Sequence, residues 1–186
     1  TRFHTHCFAH STPWLRSDFF RVALTGAQLP EAARQVLVSA HGGFAVDRRE
    51  GKGETYFALP GAGGLRLGAE LKQASVVETA PEMKATNLHN TAIWYGKDGG
   101  AYLSFPANDL GRVFTTTLSG ELLHTLGGPS REDDLGLAAV RDYFAGGGAF
   151  VPTDVAYFDG LFYITTGYSA PDYRPPAPVT RGRPGG

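Results

Sequence analysis

Between Leu88 and Leu126 the chain runs through four short apolar-rich segments separated by turn residues. His89 to Tyr95 is β-branched and aromatic, Gly96-Lys97-Asp98-Gly99-Gly100 interrupts it, and Ala101 to Phe105 alternates until Pro106-Ala107-Asn108-Asp109 turns the chain again. Arg112 to Leu118 and Glu121 to Leu126 flank Ser119-Gly120. That two-residue connection predicts a hairpin, because glycine supplies positive φ without steric cost.

Four strands in roughly forty residues, running up and down in turn, match one β-propeller blade. A blade cannot bury both faces alone, so neighbours are expected, and the pattern recurs. The leading strand His89-Asn90-Thr91-Ala92-Ile93 has counterparts in His41-Gly42-Gly43-Phe44-Ala45-Val46 and Pro152-Thr153-Asp154-Val155-Ala156-Tyr157. The second strand repeats as Glu54-Thr55-Tyr56-Phe57-Ala58, Ala101-Tyr102-Leu103-Ser104-Phe105 and Leu161-Phe162-Tyr163-Ile164-Thr165. On this reading the repeat steps by 48 residues from His41 to His89 and by 63 from His89 to Pro152. Strands led by Gly43, Thr91 and Val155 should therefore lie side by side as the innermost strands of consecutive blades.

The remaining segments fill in a partial propeller. His41 to Ala80 reads as a complete blade, with strands Gly43 to Asp47, Glu54 to Leu59, Gly64 to Leu67 and Ser75 to Thr79. Arg48 to Gly53 makes a solvated turn in which Arg48 and Arg49 are surface charge. Asp18 to Thr25 and Arg34 to Ala40 read as an outer strand pair. The insertion from Gly127 to Gly148 holds the one helical candidate, Arg131 to Phe144, with Asp133 and Asp134 near its start, Arg141 in its last turn and three glycines after it. Such an insertion either covers a pocket mouth or packs between blades. Phe150 to Thr166 begins a third blade, and the proline-rich stretch after Tyr168 is expected not to continue the ladder. The fold class expected is all-β, with blades over about residues 1–40, 41–87, 88–149 and 150–170 and a disordered Pro/Gly/Arg-rich tail over 171–186. A propeller closes with about four to eight blades. Two complete blades with partial ones predict either a fragment or a chain that assembles with copies of itself.

Composition narrows the function classes. With 42% apolar residues the chain can bury a core, and its 25 glycines and 12 prolines suit a protein of many turns. A net charge of −1 with both signs interspersed leaves no electrostatic footprint for nucleic acid. No apolar run reaches the roughly 20 residues of a membrane span. The single Cys7 excludes an internal disulfide. His4, His6, Cys7 and His10 invite a metal reading, against which stands the plainer one of alternating polar residues in a strand, since structural zinc needs four ligands and a supporting shell.

Phe150-Val151-Pro152-Thr153-Asp154-Val155-Ala156, followed by Gly160-Leu161-Phe162-Tyr163-Ile164-Thr165-Thr166-Gly167-Tyr168, resembles the NHL-repeat six-bladed propellers. Within them it looks most like the peptidyl-hydroxyglycine (peptidylglycine) amidating lyases. Leu88-His89 with Ala92-Ile93, and the closing Ser119 to Gly127, resemble the preceding blade of that family, so the likeness covers about Leu88 to Tyr168. In such lyases histidines at inner-strand starts converge on a channel zinc. The resemblance implies His89 as one ligand, and the repeat adds His41 as a second. It also implies Tyr168 as the catalytic general base, a role for which a phenol needs a lowered pKa. The chain departs from the family at Thr166, where an Asp is usual, and at Ser169-Ala170-Pro171-Asp172 in place of Cys-Asn-Ser-Arg. Two functions follow as expectations: a propeller module binding a small-molecule or peptide ligand, or a protein partner, at its channel or top face; or a zinc-dependent lyase releasing glyoxylate from a hydroxyglycine peptide. For His41 and His89 the alternative is an ordinary polar role at strand starts, and for Tyr168 that of an inter-blade aromatic. Likeness to secreted propellers tilts the expected compartment toward a secreted or periplasmic one.

Overall fold

The computed structural model describes Glu31 and residues 42–129, 138–167 and, in backbone, 179–182. The histidine-rich start with Cys7, the outer strands expected at 18–25 and 34–40, His41 and Tyr168 lie outside these residues. What is described is dominated by three antiparallel sheets in chain order. Sheet A is the meander β1 (Phe44–Val46), β2 (Thr55–Leu59), β3 (Gly63–Leu67) and β4 (Ala74–Val77). Sheet B is the meander β5 (Ala92–Tyr95), β6 (Ala101–Ala107), β7 (Arg112–Thr117) and β8 (Leu122–Gly127). Sheet C holds β9 (Pro152–Phe158), β10 (Leu161–Thr166) and β11 (Val179–Gly182).

Turn chemistry explains the reversals. Between β2 and β3, Pro60 fixes φ ahead of Gly61 at φ 81°, and Ala62 N–H closes the turn on Leu59 O at 3.0 Å. Between β9 and β10 the Asp159-Gly160 pair has positive φ at both residues, 49° and 76°, the two-residue hairpin geometry that matches strand twist. The β7–β8 connection differs from the expected two-residue one. Thr117 N–H bonds to Glu121 O at 2.9 Å around Leu118-Ser119-Gly120, with Gly120 at φ 95°, so the loop has three residues and ends on a left-handed glycine.

Pro106 and Ala107, expected in a turn, instead extend β6 opposite Val113 and Arg112. Pro106 is tolerated because β5 has left the ladder by Ala92, opposite Ser104. There Pro106 only has to accept, and its carbonyl takes the His89 N–H at 2.8 Å. In the described residues the insertion helix is α2 (Ala138–Ala145). Arg141 falls in its middle rather than its last turn, and the end is made by Gly146 and Gly148, whose N–H groups bond to Asp142 O and Tyr143 O at 2.9 Å each. A single helical turn, α1 (Pro81–Lys84), which the periodicity did not signal, carries the fully buried Met83. Past the proline run, Val179–Gly182 pairs antiparallel with β10, a third strand where the ladder was expected to stop. The prolines at 171–178 precede it, so each of its own residues keeps the donor a ladder needs.

Sheet B lies between the other two, as strand alternation requires. Leu103, Phe105 and Ala107 of β6 and Phe114 of β7 pack with Tyr56 and Ala58 of sheet A, Leu88, and Met83 of α1. The opposite face puts Trp94 and Val113 against Val155, Phe162 and Ile164 of sheet C. Each fully buried side chain of this size contributes about 1.5–3 kcal/mol of transfer free energy, which makes these two seams the main hydrophobic glue of the described fold.

Candidate functional site

The starts of β1, β5 and β9 meet at one rim. Asn90 Nδ2 donates to Asp154 Oδ1 at 2.5 Å. Each of these side chains also accepts from the following backbone N–H at 2.8 Å, Asn90 from Thr91 and Asp154 from Val155. On the other side of Asn90 stands Gly43, where any Cβ would collide with Asn90 Oδ1. Only glycine admits this approach. Gly43, Asn90 and Asp154 therefore form a row across the starts of β1, β5 and β9, the first strand of each sheet.

This row corrects the repeat register. Facing residues step by 47 and then 64 positions, not 48 and 63. A slip of one residue exchanges the faces of a strand, so the difference decides which side chains meet. It also sets Gly42 at the level of His89, with a Cβ on Gly42 lying 3.4 Å from His89 O. The residue of the first repeat that corresponds to His89 is thus glycine, one position past His41.

His89 is held at both ends of its residue. Its N–H bonds to Pro106 O, and its Nδ1 lies 2.9 Å from Thr153 O. A carbonyl only accepts, so Nδ1 carries a proton and donates it to Thr153 O. A backbone carbonyl fixing Nδ1–H is the usual support of a metal-ligating histidine. Among the described residues, however, no three His, Cys, Asp or Glu side chains come together to hold a metal ion. His89 contributes one nitrogen, and the Asp154 oxygen nearest the row is already engaged by Asn90 and Val155. These residues alone do not make a zinc site.

The rim has more polar capacity than its own bonds use. The hydroxyls of Thr91, next to Asn90, and Thr166, opposite Pro152, are buried without a hydrogen-bond partner. Thr153 Oγ1 meets Thr165 Oγ1 at 3.3 Å, and Gly167 closes against Thr153 with no room for a side chain.

At the opposite ends of β1 and β5 a second polar cluster joins sheets A and B. Asp47, 1% exposed, accepts from Arg49 Nη2 at 2.7 Å, Arg49 Nε at 3.0 Å, Arg49 N–H at 3.1 Å and Tyr95 Oη at 3.3 Å. Tyr95 Oη in turn accepts Arg48 N–H at 2.8 Å. The hydrogen bond from Arg49 holds the Asp47 carboxyl below its ordinary range. Arg49, read from the sequence as free surface charge, thus clamps a buried carboxylate. Neither cluster stood out from spacing alone. A one-residue change of repeat register would have aligned Gly43, Asn90 and Asp154, whereas the Asp47 cluster joins side chains without a shared motif.

Among the described residues no helix is long and apolar enough to cross a membrane. No family model, curated protein or solved structure matches the chain.

Proposed function

We propose that the three sheets are consecutive blades of an NHL-type propeller and that the rim of inner-strand starts binds a small polar ligand. The observation that carries this reading is the row Gly43–Asn90–Asp154 with His89 beside it. It brings a carboxylate, a carboxamide and an imidazole to one edge, next to two buried hydroxyls that the protein leaves unpaired. Buried polar groups are ordinarily satisfied, so such capacity suits a ligand that supplies both donors and acceptors. The test is an NMR titration with a panel of small amines, amides and carboxylates, read at the His89 ring and the Asn90 carboxamide. Shifts centred on these two groups and abolished by Asn90→Ala support the reading. No rim shift with any member of the panel contradicts it.

A second reading, the zinc-dependent lyase, is favoured by the backbone carbonyl that holds His89 Nδ1 and needs donors from outside the described residues, His41 among the candidates and Tyr168 as base. Zinc titration of the protein against His89→Ala and His41→Ala separates the two. Equal affinity in all three makes the histidines structural. Loss in both justifies an assay of hydroxyglycine peptide turnover with Tyr168→Phe as control.

A further inference from the structure

Two groups of exposed apolar side chains lie at the two ends of the stack of sheets, on its innermost strands. Phe158 of β9 is 70% exposed, the most of any large apolar side chain among the described residues. Phe44 and Val46 of β1 are 50% and 40% exposed. Their places in the repeat give the exposure a meaning. With the step of 64 residues, Phe158 stands where Trp94 stands in sheet B. Trp94 is the side chain by which sheet B grips the next sheet: its ring stacks on Tyr157 at 4.2 Å and meets Phe162 edge-on at 5.3 Å. With the step of 47, Val46 stands where Ile93 stands, and Ile93 packs back onto the preceding sheet. Tyr157, the acceptor of Trp94, is the corresponding residue of sheet C.

Each sheet thus has a leading face, marked by Asp47, Trp94 and Phe158, and a trailing face, marked by Val46, Ile93 and Tyr157. Within the described residues, leading faces meet trailing faces twice: Asp47 with Tyr95 of the next sheet, and Trp94 with Tyr157 of the next. Of these described sheets, the last leading residue, Phe158, and the first trailing one, Val46, are left exposed. β2 and β3 of sheet A are buried on both faces apart from Arg66, so the free part of that sheet is its innermost strand.

We infer that the leading edge of sheet C, centred on Phe158, docks on the trailing side of β1, at Phe44 and Val46, of a second copy of this chain. The contact continues the interfaces already present between β1 and β5 and between β5 and β9. It joins unlike surfaces, so it gives a closed ring if the rotation closes and a filament if it does not. The inference rests on the blade reading proposed above.

The experiment is sedimentation velocity of the 186-residue chain over a range of concentrations, beside Phe158→Asp, Val46→Asp and the control Leu123→Asp, an exposed position on β8. Each of the first two changes is expected to raise the dimer Kd by about 30-fold or more, the size of an interface hot spot, and the control to leave it unchanged. An equimolar mixture of the two weakened variants should partly recover the dimer, because one of its two contacts then pairs unaltered surfaces. A chain that stays monomeric, a Phe158→Asp dimer of unaltered affinity, or a control variant that dissociates equally would overturn the inference. So would Val46→Asp dimers of full affinity, which would set Phe158 against Phe158. Trp94 emission in a Trp14→Phe background reports the seam between sheets B and C independently. A native signal from a monomer defeats the assembly and leaves the blade reading standing, whereas a solvent-exposed Trp94 defeats the blade reading itself.

Discussion

The two seams that flank sheet B bury comparable side chains by different chemistry. Between A and B the contact is aliphatic and phenyl, Leu88, Leu103, Phe105, Phe114 and Met83 around Ala58, with its main polar bonds at the Asp47 end. Between B and C the contact is an aromatic stack with polar groups built in. Trp94 Nε1 donates to Ser104 Oγ at 3.0 Å, Ser104 and Thr115 share a hydroxyl hydrogen bond at 2.9 Å, and His124 sits against Phe162 with Nε2 buried and unpaired. The first seam thus acts chiefly through apolar burial, while the second is sensitive to protonation and to the loss of single donors.

The largest expected effects should show no such difference. Phe105→Ala in the first seam and Phe162→Ala in the second each remove a fully buried phenyl ring, and each should cost about 3–5 kcal/mol in urea unfolding. If one costs under about 1 kcal/mol, well below the range for a buried ring, its seam is not packed as described. A smaller change separates the seams. Trp94→Phe keeps much of the ring but takes the indole donor from the buried Ser104–Thr115 pair, and should cost about 0.5–1.5 kcal/mol, because Ser104 Oγ loses one of its two hydrogen bonds. Changing Ser104 to Ala in the same background should cost about 1–3 kcal/mol more, since the buried Thr115 hydroxyl then loses its partner.

Much of this arrangement is readable in the sequence, and the misreadings have physical causes. Turn residues and alternation locate ten of the eleven described strands, since Gly61, Gly99, Gly120 and Gly160 stand where positive φ is needed. β11 is hidden because the long proline-rich approach masks a four-residue ladder. α1 is a single turn, too short for periodicity to reveal. The repeat register read from the letters is off by one residue because His41 and His89 look alike, whereas the strands align on what fits between them, a glycine against a carboxamide. The roles expected of His41 and Tyr168 fall outside the described residues, and of the proposed site His89 alone is placed, at the rim where a strand-start histidine was expected.

Acid should weaken the seams in a fixed order. Burial holds the His124 imidazole below its ordinary pKa. The unfolded chain then takes up a proton that the folded one resists, so the second seam is at full strength above the ordinary histidine range and weakens as the pH falls through and below it. His124→Leu should flatten that part of a stability-against-pH curve. An unchanged slope would mean that the ring is wet. Asp47, held low chiefly by Arg49, keeps its contribution above the ordinary carboxylate range and loses it as the pH falls toward its lowered value. Asp47→Asn should remove this more acidic dependence, with the smallest loss at neutral pH of the changes considered, because the Arg49 partner is solvated and screened.

The claim beneath all of this is that the three sheets stack in chain order by leading and trailing faces. It is tested most directly by a nuclear Overhauser spectrum of the protein labelled at Trp and Tyr in a Trp14→Phe background. Trp94 and Tyr157, with ring centres 4.2 Å apart across the second seam, should give strong ring-to-ring cross-peaks, and Trp94 should show a weaker set to Tyr102 at 4.7 Å within its own sheet. The Tyr102 set without the Tyr157 set would mean that sheet B folds while sheet C does not stack on it, and would contradict the account.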